Sequence, residues 1–130
     1  MTPELKYLAL TATFTALMWV PYILNVILNN RINDAVGYPA APLKMVLWAE
    51  RLKKAHYNAV ENLVVFASLV LVANAADISN AATVSAAAVF FWARLVYAIV
   101  YAAGIPWIRT LSFAVGWGAI LCIAWQVLLA

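Results

Sequence analysis

Four long apolar runs separated by shorter polar breaks set the pattern of this 130-residue chain. The first extends from residue 5 to about residue 28. Pro21 predicts a kink within it, of the kind a membrane tolerates when neighbours re-satisfy the freed carbonyl. Thr11, Thr13 and Thr15 are placed to bond to backbone carbonyls of the same helix. The longest polar connection follows, residues 29–42, punctuated by Gly37, Pro39 and Pro42; the last suits the first turn of a helix. From residue 43 to about residue 76 nothing breaks helical order. At ~1.5 Å per residue that second helix would be roughly 50 Å long, against a hydrocarbon core of ~30 Å. Its charged first part is therefore predicted to project from the membrane and its second part to span. Residues 74–80 read as a tight turn, with Ser79 or Asn80 as the cap of the next helix. That third helix covers residues 81–103, and its small-residue first half permits close helix–helix approach. Gly104, Ile105 and Pro106 make a short turn into a fourth helix over residues 107–129.

Composition turns these runs into a membrane protein. The chain is 68% hydrophobic and only 10% charged, whereas a soluble domain is about half apolar and about a quarter charged. No water-soluble core of this size hides so much apolar surface. The predicted fold is all-α: one polytopic four-helix domain over residues 1–130, in left-handed up-down topology. The first run is too long for a secretory signal, and no small-residue cleavage site follows it, so no signal peptide is read. Cys122 is the only cysteine, which excludes an intrachain disulfide and a paired-cysteine redox site; with a single histidine, no structural zinc site is expected.

Charge then orients the bundle. Arg31, Lys44, Arg51, Lys53 and Lys54 lie between the first two spans or on the helix extension, and Arg109 follows the turn between spans three and four. The opposite side carries Lys6 alone. The positive-inside rule puts both of those connections in the cytoplasm and both termini outside. The net charge of +3 thus marks a membrane side rather than a nucleic-acid partner.

Candidate chemistry is concentrated in Glu50-Arg-Leu-Lys-Lys-Ala-His-Tyr-Asn-Ala-Val-Glu-Asn62. On a helix, Lys54, Asn58 and Glu61 form one stripe, with Arg51 a turn earlier. Arg94, Tyr97 and Tyr101 form a second stripe on the third helix. The two helices are antiparallel, and Glu61 and Arg94 fall at similar depth. An ion pair between them, direct or through Asn58 or a water, is expected, because either charge alone in the bundle costs several kcal/mol. Such a pair explains helix register as readily as it explains a site. The neighbours change the balance: Arg51, Lys54, Arg94 and Arg109 bring four cations against the anions Glu50 and Glu61. Tyr97, Tyr101, Asn58 and Asn62 add neutral donors and acceptors. A surplus of positive charge in a partly buried cleft calls for an anionic ligand, and apolar walls suit a lipophilic second compound entering from the bilayer. Asn25 faces either this cavity or the interface. His56 reads as a hydrogen-bonding or interfacial residue rather than a base, and the tryptophans as packing or boundary aromatics.

Glu50-Arg51-x-x-Lys54-Ala55-His56-x-Asn58-x-x-Glu61-Asn62, then Arg94-x-x-Tyr97-x-x-x-Tyr101 and Pro106-x-x-Arg109, closely resembles the MAPEG family of membrane-associated proteins in eicosanoid and glutathione metabolism, in a bacterial-type form. The resemblance covers essentially the whole chain. It implies a homotrimer of four-helix subunits in a bacterial inner membrane, in contact with lipid and with a hydrophobic small-molecule substrate. Glutathione would be co-substrate, bound between subunits in the cytoplasmic half. Carried over by position, the resemblance makes Asn25, Arg51, Lys54, Asn58, Glu61, Arg94, Tyr97 and Tyr101 the binding set, and Arg109 the thiolate-stabilising catalytic residue. Prostaglandin-synthase-like members have arginine where this chain has Lys54; lysine keeps the charge and loses the planar five-donor fork. The activity implied is a glutathione-dependent transferase or peroxidase. Two rivals stand beside it: a non-enzymatic membrane protein binding an anionic or lipid ligand, and a small exporter using Glu61, against which Arg51, Lys54 and Arg94 argue.

Overall fold

Thr2 starts the first helix, its hydroxyl accepting from the Leu5 N–H at 3.3 Å, with Pro3 in the first turn. The computed structural model describes residues 1–130 and contains helices and no strands. The first span is two helices, α1 (Pro3–Leu17) and α2 (Trp19–Asn29). Pro21 explains the break: its ring clashes with the carbonyl four residues back, Leu17, and it has no N–H to donate there. Met18 instead bonds back three residues, to the Thr15 carbonyl at 3.3 Å. The threonines act as expected, Thr11, Thr13 and Thr15 donating to the carbonyls of Tyr7, Ala9 and Thr11 at 2.7, 2.8 and 2.8 Å.

The second span is shorter than its sequence suggests. A five-residue helix, α3 (Ile32–Val36), interrupts the connection, and α4 runs from Leu47 to Ala75 rather than from residue 43. Side chains of the first span hold the intervening segment extended. Asn30 brackets Lys44, accepting from its N–H at 2.9 Å and donating to its carbonyl at 2.8 Å. Asn25 accepts from the Val46 N–H at 3.0 Å. Even so, the 29 residues of α4 are roughly 44 Å long, longer than the hydrocarbon core.

Helix α5 (Ala81–Ala103) has a reciprocal cap: Asn80 Oδ1 accepts from the N–H groups of Ala82 and Thr83, and Thr83 Oγ1 accepts from the Asn80 N–H. It ends at Gly104, whose φ of 78° lets the Ile105 N–H reach the Val100 carbonyl at 2.9 Å. Helix α6 (Pro106–Leu128) follows with proline at its start. Four helical segments, with α1 and α2 taken as one, are long and apolar enough to cross a membrane.

Helix α5 is the hub and packs against α6, α4 and α1. Its small residues Ala86 and Ala87 let Phe66 of α4 and Phe90 stack at 4.0 Å, in a core completed by Val70, Ala119, Ile120 and Ile123. A second, smaller cluster of Met18, Ala55, Ala59, Tyr97 and Ala98 lies in the other half of the bundle, below the charged connections. The large aliphatic and aromatic side chains of the outward faces, among them Trp92, Trp117 and Leu121, are exposed on the chain as a bilayer-facing surface requires.

Candidate functional site

The buried face of α4 centres on Ala55, Ala59, Phe66 and Val70. At ~100° per residue, Arg51 and Asn58 fall on the edge of that face, and Lys54 and Glu61 further round. Arg51 and Asn58 are accordingly half-buried, Lys54 and Glu61 exposed. A direct Glu61–Arg94 ion pair is therefore absent from the chain: α4 is rotated so that Asn58, the intermediary the sequence offered, meets Arg94. Arg94 Nη2 donates to Asn58 Oδ1, which also accepts from Asn62 Nδ2 at 3.1 Å. Both contacts use the amide oxygen and leave the Asn58 NH₂ group available.

Arg94 is buried, and no carboxylate stands against it. Besides Asn58, its guanidinium rests on aromatic rings, 4.2 Å from the centroid of Tyr97 and 5.9 Å from that of Phe113. Ring faces stabilise a desolvated cation by about 2 kcal/mol, less than the several kcal/mol that burial of an ion costs. The Arg109 guanidinium similarly lies 5.0 Å from the Tyr101 ring. Tyr97 and Tyr101 meet edge to face at 5.5 Å. Between these groups is a pocket of about 320 Å³, lined by Asn58, Tyr97, Tyr101, Arg109, Thr110 and Phe113. It is at the small end of the range for ligand pockets.

The sequence-predicted residues thus divide. Asn58, Tyr97, Tyr101 and Arg109 line one pocket, with Arg94 directly behind Asn58 and Tyr97. Arg51 stands beside the α5–α6 turn: a Cβ on Gly104 would come within 2.5 Å of Arg51 Nη1. There the guanidinium faces the carbonyl end of α5, where a cation is favoured. Lys54 and Glu61 remain on the open flank of α4. Asn25 is buried, but its side-chain oxygen is used by Val46, so it fixes the start of α4. His56 bonds to the Tyr22 hydroxyl through Nδ1 at 2.7 Å and tethers α2 to α4, in keeping with a hydrogen-bonding role.

Two features escaped the sequence. Phe113 supports Arg94 and lines the pocket; its place four residues after Arg109 on one helix face was the available signal. Glu4 is the buried carboxylate of the chain, accepting from Thr83 Oγ1 at 2.6 Å and Ser79 Oγ at 2.9 Å. It lies at the opposite end of the bundle from the pocket. A larger hollow, about 700 Å³, lies beside the loop of residues 28–44, away from this chemistry.

The model of the MAPEG family matches residues 9–129 of the chain. No curated protein and no solved structure matches it.

Proposed function

The chain belongs to the MAPEG family, and from that premise we propose that it is a glutathione-dependent transferase or peroxidase acting on small hydrophobic electrophiles at the membrane. The observation that carries the reading is the pocket in which Arg109, Asn58 and two tyrosines converge in front of a buried Arg94 with no anion of its own. A tripeptide with two carboxylates supplies what that arrangement lacks. In the proposal Arg94 holds a carboxylate by way of its free N–H groups, with Asn58, Tyr97 and Tyr101 donating around it. Arg51 and Lys54 add charge at the rim, and Glu61 accepts from the ammonium group. Asn25 acts at one remove, by fixing where α4 begins.

Arg109 takes the thiol. A thiol with pKa near 8.5 is mostly protonated at neutral pH, and a guanidinium beside the sulfur in a shielded site favours the thiolate. The thiol proton leaves to solvent, so no side-chain base is needed. In transfer, the sulfur forms a bond to carbon and the leaving group departs with the electron pair. In peroxide reduction the sulfur attacks oxygen, the O–O bond breaks to give an alcohol, and a second glutathione reduces the sulfenic acid to disulfide and water.

The exposed flank of α4, with Lys54 and Glu61, supports assembly as a homotrimer whose neighbouring subunit closes the site. The basic residues of the connections support a bacterial inner-membrane protein with the pocket facing the cytoplasm and both termini outside. Glutathione binding to the purified protein in detergent, beside conjugation of an activated aryl chloride, tests the function. Arg109→Ala is expected to lower turnover about 100-fold or more while changing the glutathione Kd little. An unchanged rate removes Arg109 from the thiolate, and absence of glutathione binding to the parent protein overturns the proposal.

A further inference from the structure

Helix α1 packs against both α4 and α5, but beyond the break at Met18 helix α2 packs against α4 and not α5. The change of direction opens a groove between the first span and α5. It has a volume of about 350 Å³. Phe14, Leu17, Met18 and Pro21 form one wall, Leu52 the floor, and Ala98, Ile99 and Ala102 the other wall. At ~100° per residue, this part of α5 faces roughly 100° away from Tyr97 and Tyr101. The groove and the polar pocket therefore lie at one depth on different flanks. They share a partition, because Met18 and Ala98 belong to the same buried cluster as Tyr97.

We propose that this groove holds one acyl chain of a bilayer phospholipid, which completes the packing behind Tyr97. Three observations select that occupant. The groove runs from Phe14, near the middle of the first span, to Leu52 and Ala102 at the end that carries the charged connections, so its mouth opens on the outer part of the hydrocarbon. Its lining is almost wholly aliphatic and aromatic and offers a polar guest no partner. The two alanines of α5 leave a slot without a protruding side chain. A second copy of the chain would instead be drawn to the polar flank of α4, where Lys54 and Glu61 are exposed. At ~30 Å³ for a group of water's size, the volume takes on the order of ten methylenes. The tail gains nothing by leaving water, since it comes from hydrocarbon. What holds it is contact with walls that otherwise have no partner atoms. The inference rests on the fold and is independent of the thiol chemistry.

Native mass spectrometry of the protein in a mild detergent counts the retained phospholipid per subunit. The parent protein is expected to keep one. Ala102→Phe and Ile99→Trp, which fill the groove from inside and from its lip, are expected to lose it with Tm unchanged or raised. Val64→Phe, on an exposed face of α4 outside the groove, is expected to retain it. Stripping lipid should lower the Tm of the parent, and added phosphatidylethanolamine should restore it, whereas the filled variants respond to neither treatment. If Ala102→Phe does not fold, Ile99→Trp gives the same readout. Equal lipid retention in parent and filled variants places the lipid elsewhere and overturns the proposal. So does an oxidative cross-link between subunits carrying Ile99→Cys, absent from the parent, which puts a second copy in the groove.

Discussion

Glu4 and Arg94 occupy opposite ends of the same bundle and are almost equally hidden, 3% and 5% exposed. Around Glu4 the protein supplies everything a carboxylate needs: two hydroxyls from the start of α5 and its preceding turn, near the amide ends of two helices. Around Arg94 it supplies one amide oxygen and the faces of aromatic rings, and leaves an open pocket beside them. The same physical rule, that a hidden charge must be met, is satisfied from within at one end and left incomplete at the other. The first arrangement fixes the fold. The second holds a place for a ligand.

Substitutions sharpen or break that contrast. The largest effect is expected for Glu4→Ala, which strands the Ser79 hydroxyl, leaves Thr83 only its bonds to Asn80, and empties a buried site. Stability should fall by about 3 kcal/mol, read as a lower Tm, while the folded protein still binds glutathione with its parental Kd. A parallel loss of binding at a temperature where the variant is folded would erase the distinction between the ends. Next is Arg94→Met, which removes an unpaired buried charge and keeps much of its volume. Glutathione binding should weaken at least about tenfold, ~1.4 kcal/mol, with Tm held or raised because the ion no longer has to be desolvated. A Tm drop as deep as that of Glu4→Ala would make Arg94 part of the scaffold. The smallest is Asn25→Ala, which takes the acceptor from the Val46 N–H: about 1 kcal/mol of stability and no change in Kd by calorimetry. A change in Kd would return Asn25 to the pocket.

The spans were legible because each apolar run is its own signal: Pro21 announced the break and Asn80 the cap. The convergence of Asn58, Tyr97, Tyr101 and Arg109 was legible because helical spacing puts each stripe on one face and antiparallel neighbours match depths. Rotation of one helix against another is not written in either stripe. Asn58 rather than Glu61 therefore reached Arg94, since the small residues Ala55 and Ala59 turn that edge of α4 inward. The start of α4 was misplaced for a related reason: Asn25 and Asn30 act from another helix, and local pattern is blind to them. Nothing in the local pattern marks Glu4, because its partner Thr83 is 79 positions away.

Gly104 has a consequence beyond the turn it makes. Its positive φ disfavours any side chain, and the space a methyl would take is filled by the Arg51 guanidinium. Trimming the arginine therefore frees room that the backbone still refuses to use, and enlarging the glycine displaces the flexible end of Arg51 from the carbonyl end of α5. In a combinatorial library at the two sites, position 104 would return glycine whatever stood at 51, while position 51 would vary with glycine opposite it.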